Sequence, residues 1–145
     1  MTASEREDHP DLLLEKLVTR TAGARHAVLL SRDGLKLCLS PGLSVDQADQ
    51  LAAIASGIQA LAHGASAEFG DGTGGVRQSM TEFHGGVLFI VGAGEGAHLA
   101  VVGDESADAG VIGYRMNELV GRIDGFLRDD PRTGSRAGLR GKLSA

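Results

Sequence analysis

Tryptophan is absent from this chain, tyrosine occurs once and phenylalanine four times. So few rings leave no platform on which successive bases could stack, which argues against binding of single-stranded nucleic acid. Cys38 is the only cysteine, so an intramolecular disulfide and a thiolate metal cluster are both excluded. Set in an apolar strand pattern, it reads as a buried, inert thiol. No apolar run approaches the ~20 residues of a membrane span. The N-terminus, MTASEREDHPD, is polar and acidic and lacks the basic-then-apolar order of a signal peptide. A cytoplasmic protein is expected.

Charge of either sign is missing from one long stretch, Leu51–Ala67, which reads LAAIASGIQALAHGASA. It follows a helix start signal, in which Ser44 caps the backbone and Gln47 reaches back in a capping box. A surface helix normally shows one apolar stripe and one charged face. Here Leu51, Ile54, Ile58 and Leu61 form one side, and Ala48, Ala52, Ala55 and Ala62 a second, flatter one. A helix without a charged face calls for cover on more than one side, and in a chain of 145 residues a second copy is a natural source. The alanine side is expected to meet it.

What the chain does have is glycine and acid. Its 22 glycines are about twice the usual share of roughly 7%, and they fall between apolar runs as turns. Net charge is −5, unevenly placed. Residues 131–145 carry Arg132, Arg136, Arg140 and Lys142 without an acid, which leaves −9 on the other 130 residues. An acidic body disfavours nucleic acid as a partner. The basic tail suits an acidic partner or an anionic membrane surface, although its ordinary reading is a solvated, flexible end.

Periodicity then gives the element order. Residues 1–9 are expected to be disordered, with Pro10 opening a helix along Leu13, Leu14, Leu17 and Val18. His26–Ser31 and Leu35–Ser40 read as strands joined by an Asp33-Gly34 turn. Leu35, Leu37 and Leu39 alternate against Lys36, Cys38 and Ser40. The chargeless helix spans Val45 to His63, closed by Gly64. Val76–Phe83 is a polar strand suited to a sheet edge. Val87–Val91 is apolar throughout, like a strand covered on both faces, and Ala97–Val102 is the last strand. Ser106 or Asp108 caps a final helix with the stripe Ile112, Met116, Leu119, Val120, Ile123 and Leu127, ended by Pro131. These elements predict a single α+β domain over 10–128, with a flexible basic tail over 129–145. Its five-stranded antiparallel sheet carries the first and last helices on one face and the chargeless helix on the other. One helix about 10–12 Å wide leaves part of five strands, spaced about 4.8 Å apart, uncovered. A two-fold dimer through that helix and the Val76–Phe83 edge is the expected remedy.

Catalytic chemistry finds no support. Gly92-Ala93-Gly94-Glu95-Gly96 is not GxGxxG and precedes a strand, Gly70–Gly75 lacks the Lys-Ser/Thr ending of a P-loop, and Glu95 and Asp71 in these loops would repel phosphate. His9, His26, His63, His84 and His98 include no pair at metal-binding spacing. No G-x-S-x-G or catalytic-cysteine context occurs. Asp104-Glu105 and Asp129-Asp130 read as solvated charges. No cofactor and no metal are expected.

The turn Ser31-Arg32-Asp33-Gly34-Leu35, the small-residue helix beginning near Val45, the segment FIVGAGEGAHLAVV and the closing amphipathic helix together resemble a roadblock/LC7 domain, over about residues 10–128. The likeness is greatest to bacterial members encoded beside a small Ras-like GTPase and a sensor-kinase-like protein. It implies an αββαβββα fold and homodimers built through the second helix and third strand. Mapped here, that interface is Ala48, Leu51, Ala52, Ala55, Ile58, Gln59, Ala62, Val76, Gln78 and Met80. It also implies a non-enzymatic scaffold or regulator of a small GTPase, which would dock near the paired helices at Asp46, Asp49, Gln50, Gln59 and His63. Recruitment to a membrane would come through partners. Two other readings are a small-molecule sensor, disfavoured by few polar anchors among the core positions, and a small hydrolase, disfavoured by the absence of a triad or metal pattern.

Overall fold

A proline at the first helical position gives up an N–H that would be unsatisfied there in any case. In the computed structural model, which describes residues 9–94 and 96–129, α1 (Pro10–Arg20) begins at that proline. The His9 side chain accepts a hydrogen bond from the Asp11 N–H at 3.3 Å, so His9 belongs to the helix start rather than to a disordered leader. The expectations placed on residues 1–8 and on the tail from residue 130, Pro131 included, lie outside the described residues.

β1 (Ala24–Ser31) and β2 (Lys36–Leu39) form the expected hairpin. Gly34 takes φ 84° in its turn, a left-handed conformation that favours glycine. Ser31 closes the turn: its N–H donates to the Leu35 carbonyl at 2.8 Å and its Oγ accepts from the Leu35 N–H at 3.2 Å. Leu35, expected on the core side, is instead 61% exposed, because the turn holds it outside the strand. A register shift between Leu29 and Leu30 accompanies this, and Leu37 and Cys38 both reach the interior.

α2 (Val45–Phe69) starts at the predicted capping box, with the Gln47 N–H donating to Ser44 Oγ at 3.1 Å and the Ser44 N–H to Gln47 Oε1 at 3.3 Å. It does not end at Gly64. Ala65–Phe69 contains no breaker, so continued hydrogen bonding offsets the ~1 kcal/mol penalty of one interior glycine. The helix stops at Gly70, whose N–H donates to the Ser66 carbonyl at 2.8 Å.

Three strands follow, β3 (Ser79–Phe83), β4 (Gly86–Gly92) and β5 (Ala97–Gly103), and then α3 (Ala109–Asp129). β3 is shorter than the predicted Val76–Phe83. Pairing with β4 begins only at Ser79 opposite Ile90, which leaves Val76 and Gln78 in the preceding loop. Asp108 caps α3 by accepting from the Val111 N–H at 3.1 Å, whereas Ser106 is engaged with Asp104.

The sheet order is β2-β1-β5-β4-β3, antiparallel throughout. α1 and α3 cover one face, where Leu14, Leu17, Ile112, Met116 and Ile123 pack with Leu29, Phe89, Leu99 and Val101. Among the described residues α2 lies alone on the other, over Val28, Leu30, Leu88, Ile90 and Ala100. β4 sends Phe89 and Val91 to the first core and Leu88 and Ile90 to the second, as its unbroken apolar run requires. β3 is an edge strand, as its polar composition predicts.

Candidate functional site

Small side chains let a helix approach a sheet closely, and α2 uses its alanines in this way. Ala48, Ala52 and Ala55 have no exposed surface in a single chain, so they have none to give to a partner. Leu51 and Gln59 also point inward, and Gln59 is only 6% exposed. The expected orientation of α2 is thus corrected: Ala48, Ala52 and Ala55 face the sheet together with Leu51, and not a partner. The branched residues Val28, Leu30 and Ile90 already fill the space beneath the helix, leaving room for methyl groups. Two of the larger side chains face outward, Ile54 at 53% and Leu61 at 78% exposure, while Leu51 is buried and Ile58 half-buried against the second core. Ala62, also assigned to the interface, is half-buried.

The edge strand adds to this outer face. Directly paired residues share a side of the sheet, so Ser79, Thr81 and Phe83, opposite Ile90, Leu88 and Gly86, lie on the α2 side. Met80 and Glu82, opposite Phe89 and Val87, lie on the other. Phe83 is 49% exposed. Sequence reading named Met80, which is on the edge but faces away from α2, and missed Ile54, Leu61 and Phe83 as surface. Val76 is half-buried and Gln78 exposed, both in the loop.

The polar residues assigned to a GTPase contact do not form one surface. Asp46, Asp49 and Gln50 are exposed in the first turns of α2, where Asp49 Oδ1 lies 2.6 Å from Lys36 Nζ and ties the helix to β2. Such a half-exposed ion pair contributes less than about 1 kcal/mol. His63 is exposed on the same helix, about 20 Å further along at ~1.5 Å per residue. Gln59 is removed from any such surface by its burial and by the hydrogen bond its Oε1 accepts from Ser79 Oγ at 2.7 Å.

His63 lies instead at a cleft of about 590 Å³ between α2, the β1–β2 turn and the β4–β5 connection. Arg32, Ser56 and His98 also line it, and Ser56 Oγ donates to the Arg32 carbonyl at 2.9 Å, pinning the turn to the helix. Burial, and secondarily the Arg32 charge, hold the His98 imidazole below its ordinary pKa. Sequence reading treated His98 as an ordinary histidine. Positions 32, 63 and 98 come from three separate elements, so no local spacing announces their meeting. Among the described residues no group of three or more His, Cys, Asp or Glu is placed to hold a metal ion, and no helix is long and apolar enough to cross a membrane.

Comparison with known proteins matches this architecture. The Roadblock/LC7 domain family matches residues 10–103. The chain is similar to the crystal structure of a roadblock/LC7 domain from Streptomyces avermitilis, with 44% identity and a TM-score of 0.76, covering 81% of this chain and 96% of that one. Two more distant structures share the fold. The gliding protein MglB of Thermus thermophilus has 22% identity and a TM-score of 0.73, covering 90% of this chain and 95% of that one. Myxococcus xanthus MglB has 17% identity and a TM-score of 0.70, covering 81% and 93%. No curated protein matches the chain. With the family matched over most of its length, and with the predicted element order and layering in place, the chain belongs to the roadblock/LC7 family.

Proposed function

We propose that the chain works as a homodimer that holds and regulates a small Ras-like GTPase in a bacterial signalling complex, without catalysis of its own. The observation that carries this reading is the outer face of α2, with Ile54 and Leu61 exposed and Ile58 half-buried, on a helix tied to the β3 edge by the Ser79–Gln59 hydrogen bond, while Phe83 on the α2 side of that edge is also exposed. Two copies packing this face together would cover the part of the sheet that α2 leaves open. Pairing of their β3 edges would extend five strands to ten.

Asp46, Asp49 and Gln50 at the start of α2 remain polar and exposed, and they are the proposed GTPase contacts, with His63 at the far end. α2 contains no arginine or lysine, so it supplies no transition-state finger. Any acceleration of GTP hydrolysis comes from positioning the GTPase's own residues. A sensor-kinase-like protein is a proposed further partner, and membrane recruitment would come through such partners.

Calorimetric titration of a small Ras-like GTPase from the same genome, loaded with GDP or with a non-hydrolysable GTP analogue, tests the regulator role. The expected result is a preference of about tenfold or more for one state, equivalent to ~1.4 kcal/mol, weakened by Asp46→Lys. Absence of binding in both states would contradict it.

A further inference from the structure

The flank of α2 turned away from Ile54, Ile58 and Leu61 carries a different chemistry. At 100° per residue, Ser56, Ala60 and His63 project roughly 160° round the helix from that apolar trio, toward the cleft of about 590 Å³. This volume falls within the ~300–1,000 Å³ typical of small-molecule sites. Arg32, His63 and His98 line it, and among the described residues no acid does, in a chain with 19 acids against 14 lysines and arginines. Arg32 has no carboxylate in ion-pair range among the described residues. Glu95, next to Gly96 in sequence, lies outside them.

The hydrogen-bonding groups point the same way. Ser79 occupies Gln59 Oε1, so the amide nitrogen of Gln59 is the group left to donate. The His98 ring lines the cleft; its Nδ1 is buried with no hydrogen-bond partner among the described residues, and so is not the nitrogen that would meet a ligand. Glycine shapes the wall. Gly74 and Gly96 take φ 79° and 78°; a Cβ on Gly96 would stand 2.9 Å from Arg32 Nη2, and one on Gly74 would overlap the His63 ring. Two cation-capable side chains therefore lie directly on main chain at the cleft.

We propose that this cleft binds a small organic anion, a carboxylate or a phosphate compound, held by the Arg32 guanidinium with Gln59, His63 and His98 as further donors. Charge-assisted hydrogen bonds of this kind are roughly twice as strong as neutral ones. The site lies off the proposed dimer face, so its occupancy and dimer formation are independent and are tested separately.

The experiment is a nitrogen–proton correlation NMR titration of the full chain with pyrophosphate and, separately, citrate, against sodium chloride of matched ionic strength. Saturable shifts at the Gly74, Gly92 and Gly96 amides are expected, with a Kd of about 1 mM or tighter. Arg32→Gln is expected to weaken them about tenfold, and His63→Gln less. The same spectra report that both variants are folded, since Arg32 and His63 are exposed. Binding of pyrophosphate alone identifies a phosphorylated ligand, and of citrate alone a carboxylated one. Saturation by neither, shifts reproduced by sodium chloride, or unchanged binding in Arg32→Gln would overturn the proposal.

Discussion

At Ala55 the methyl group is wholly enclosed by the α2-side core, with neither water nor a counter-charge to receive an ion. Ala55→Glu is therefore expected to lose on the order of 3–5 kcal/mol of fold stability, read as a large drop in denaturation midpoint. Leu61→Glu, on the exposed side, should change the stability of the isolated chain by less than about 0.5 kcal/mol. Two histidines give a pH signature. Burial and then the Arg32 charge lower the His98 pKa, and burial and then Arg25 lower that of His26, from the ordinary 6.5. In the unfolded chain each takes up a proton near that ordinary value, while the folded state does so only at lower pH. Stability is thus full above 6.5 and is lost as pH falls through the lowered folded values. Denaturation midpoints measured between about pH 7 and 5 should fall less steeply for His98→Gln than for the wild type; equal slopes would contradict this. The Arg25 charge beside His26 is readable from the sequence, but the burial of both histidines and the Arg32 charge near His98 are not, because they arise from pairing β1 with β5 and from placing the Arg32 turn beside β5.

Among the elements, α2 shows both what local sequence specifies and where it stops. The Ser44–Gln47 capping box was readable because both partners lie within one turn. The C-terminus was not: Gly64 looked like a stop, yet the helix continues to Phe69, and a Cβ on Gly64 would meet nothing within 4 Å. Gly64→Ala should therefore stabilise the protein by about 0.5–1 kcal/mol, raising the thermal midpoint by a few degrees; a lowered midpoint would place a contact at Gly64 that the structure does not show. The start of β3 at Ser79 and the exposure of Leu35 likewise depend on strand register, which a single strand's pattern does not contain. The orientation of α2 failed for a related reason. Which side of a chargeless helix turns inward depends on the bulk of the strands beneath it, and Val28, Leu30 and Ile90 select the alanines.

For the whole molecule, the splitting of the helices and the edge position of β3 were legible, since the apolar run of β4 requires cover on both sides and a polar strand suits an edge. Among the described residues the layers are unequal, with two helices on one face and α2 alone on the other, its Ile54 and Leu61 side chains outward. Fully burying a side chain such as Ile54 or Leu61 contributes about 1.5–3 kcal/mol, which makes this face the energetic centre of the proposed homodimer. The small-anion cleft, on the opposite flank of α2, is untouched by that contact. Light scattering of the full chain at micromolar concentration, alongside the Ile54→Glu/Leu61→Glu double variant, tests this directly. The wild type is expected at twice 14.9 kDa and the variant as a folded single chain of 14.9 kDa; a wild type at the single-chain mass, or a double variant that stays paired, would contradict the proposed dimer.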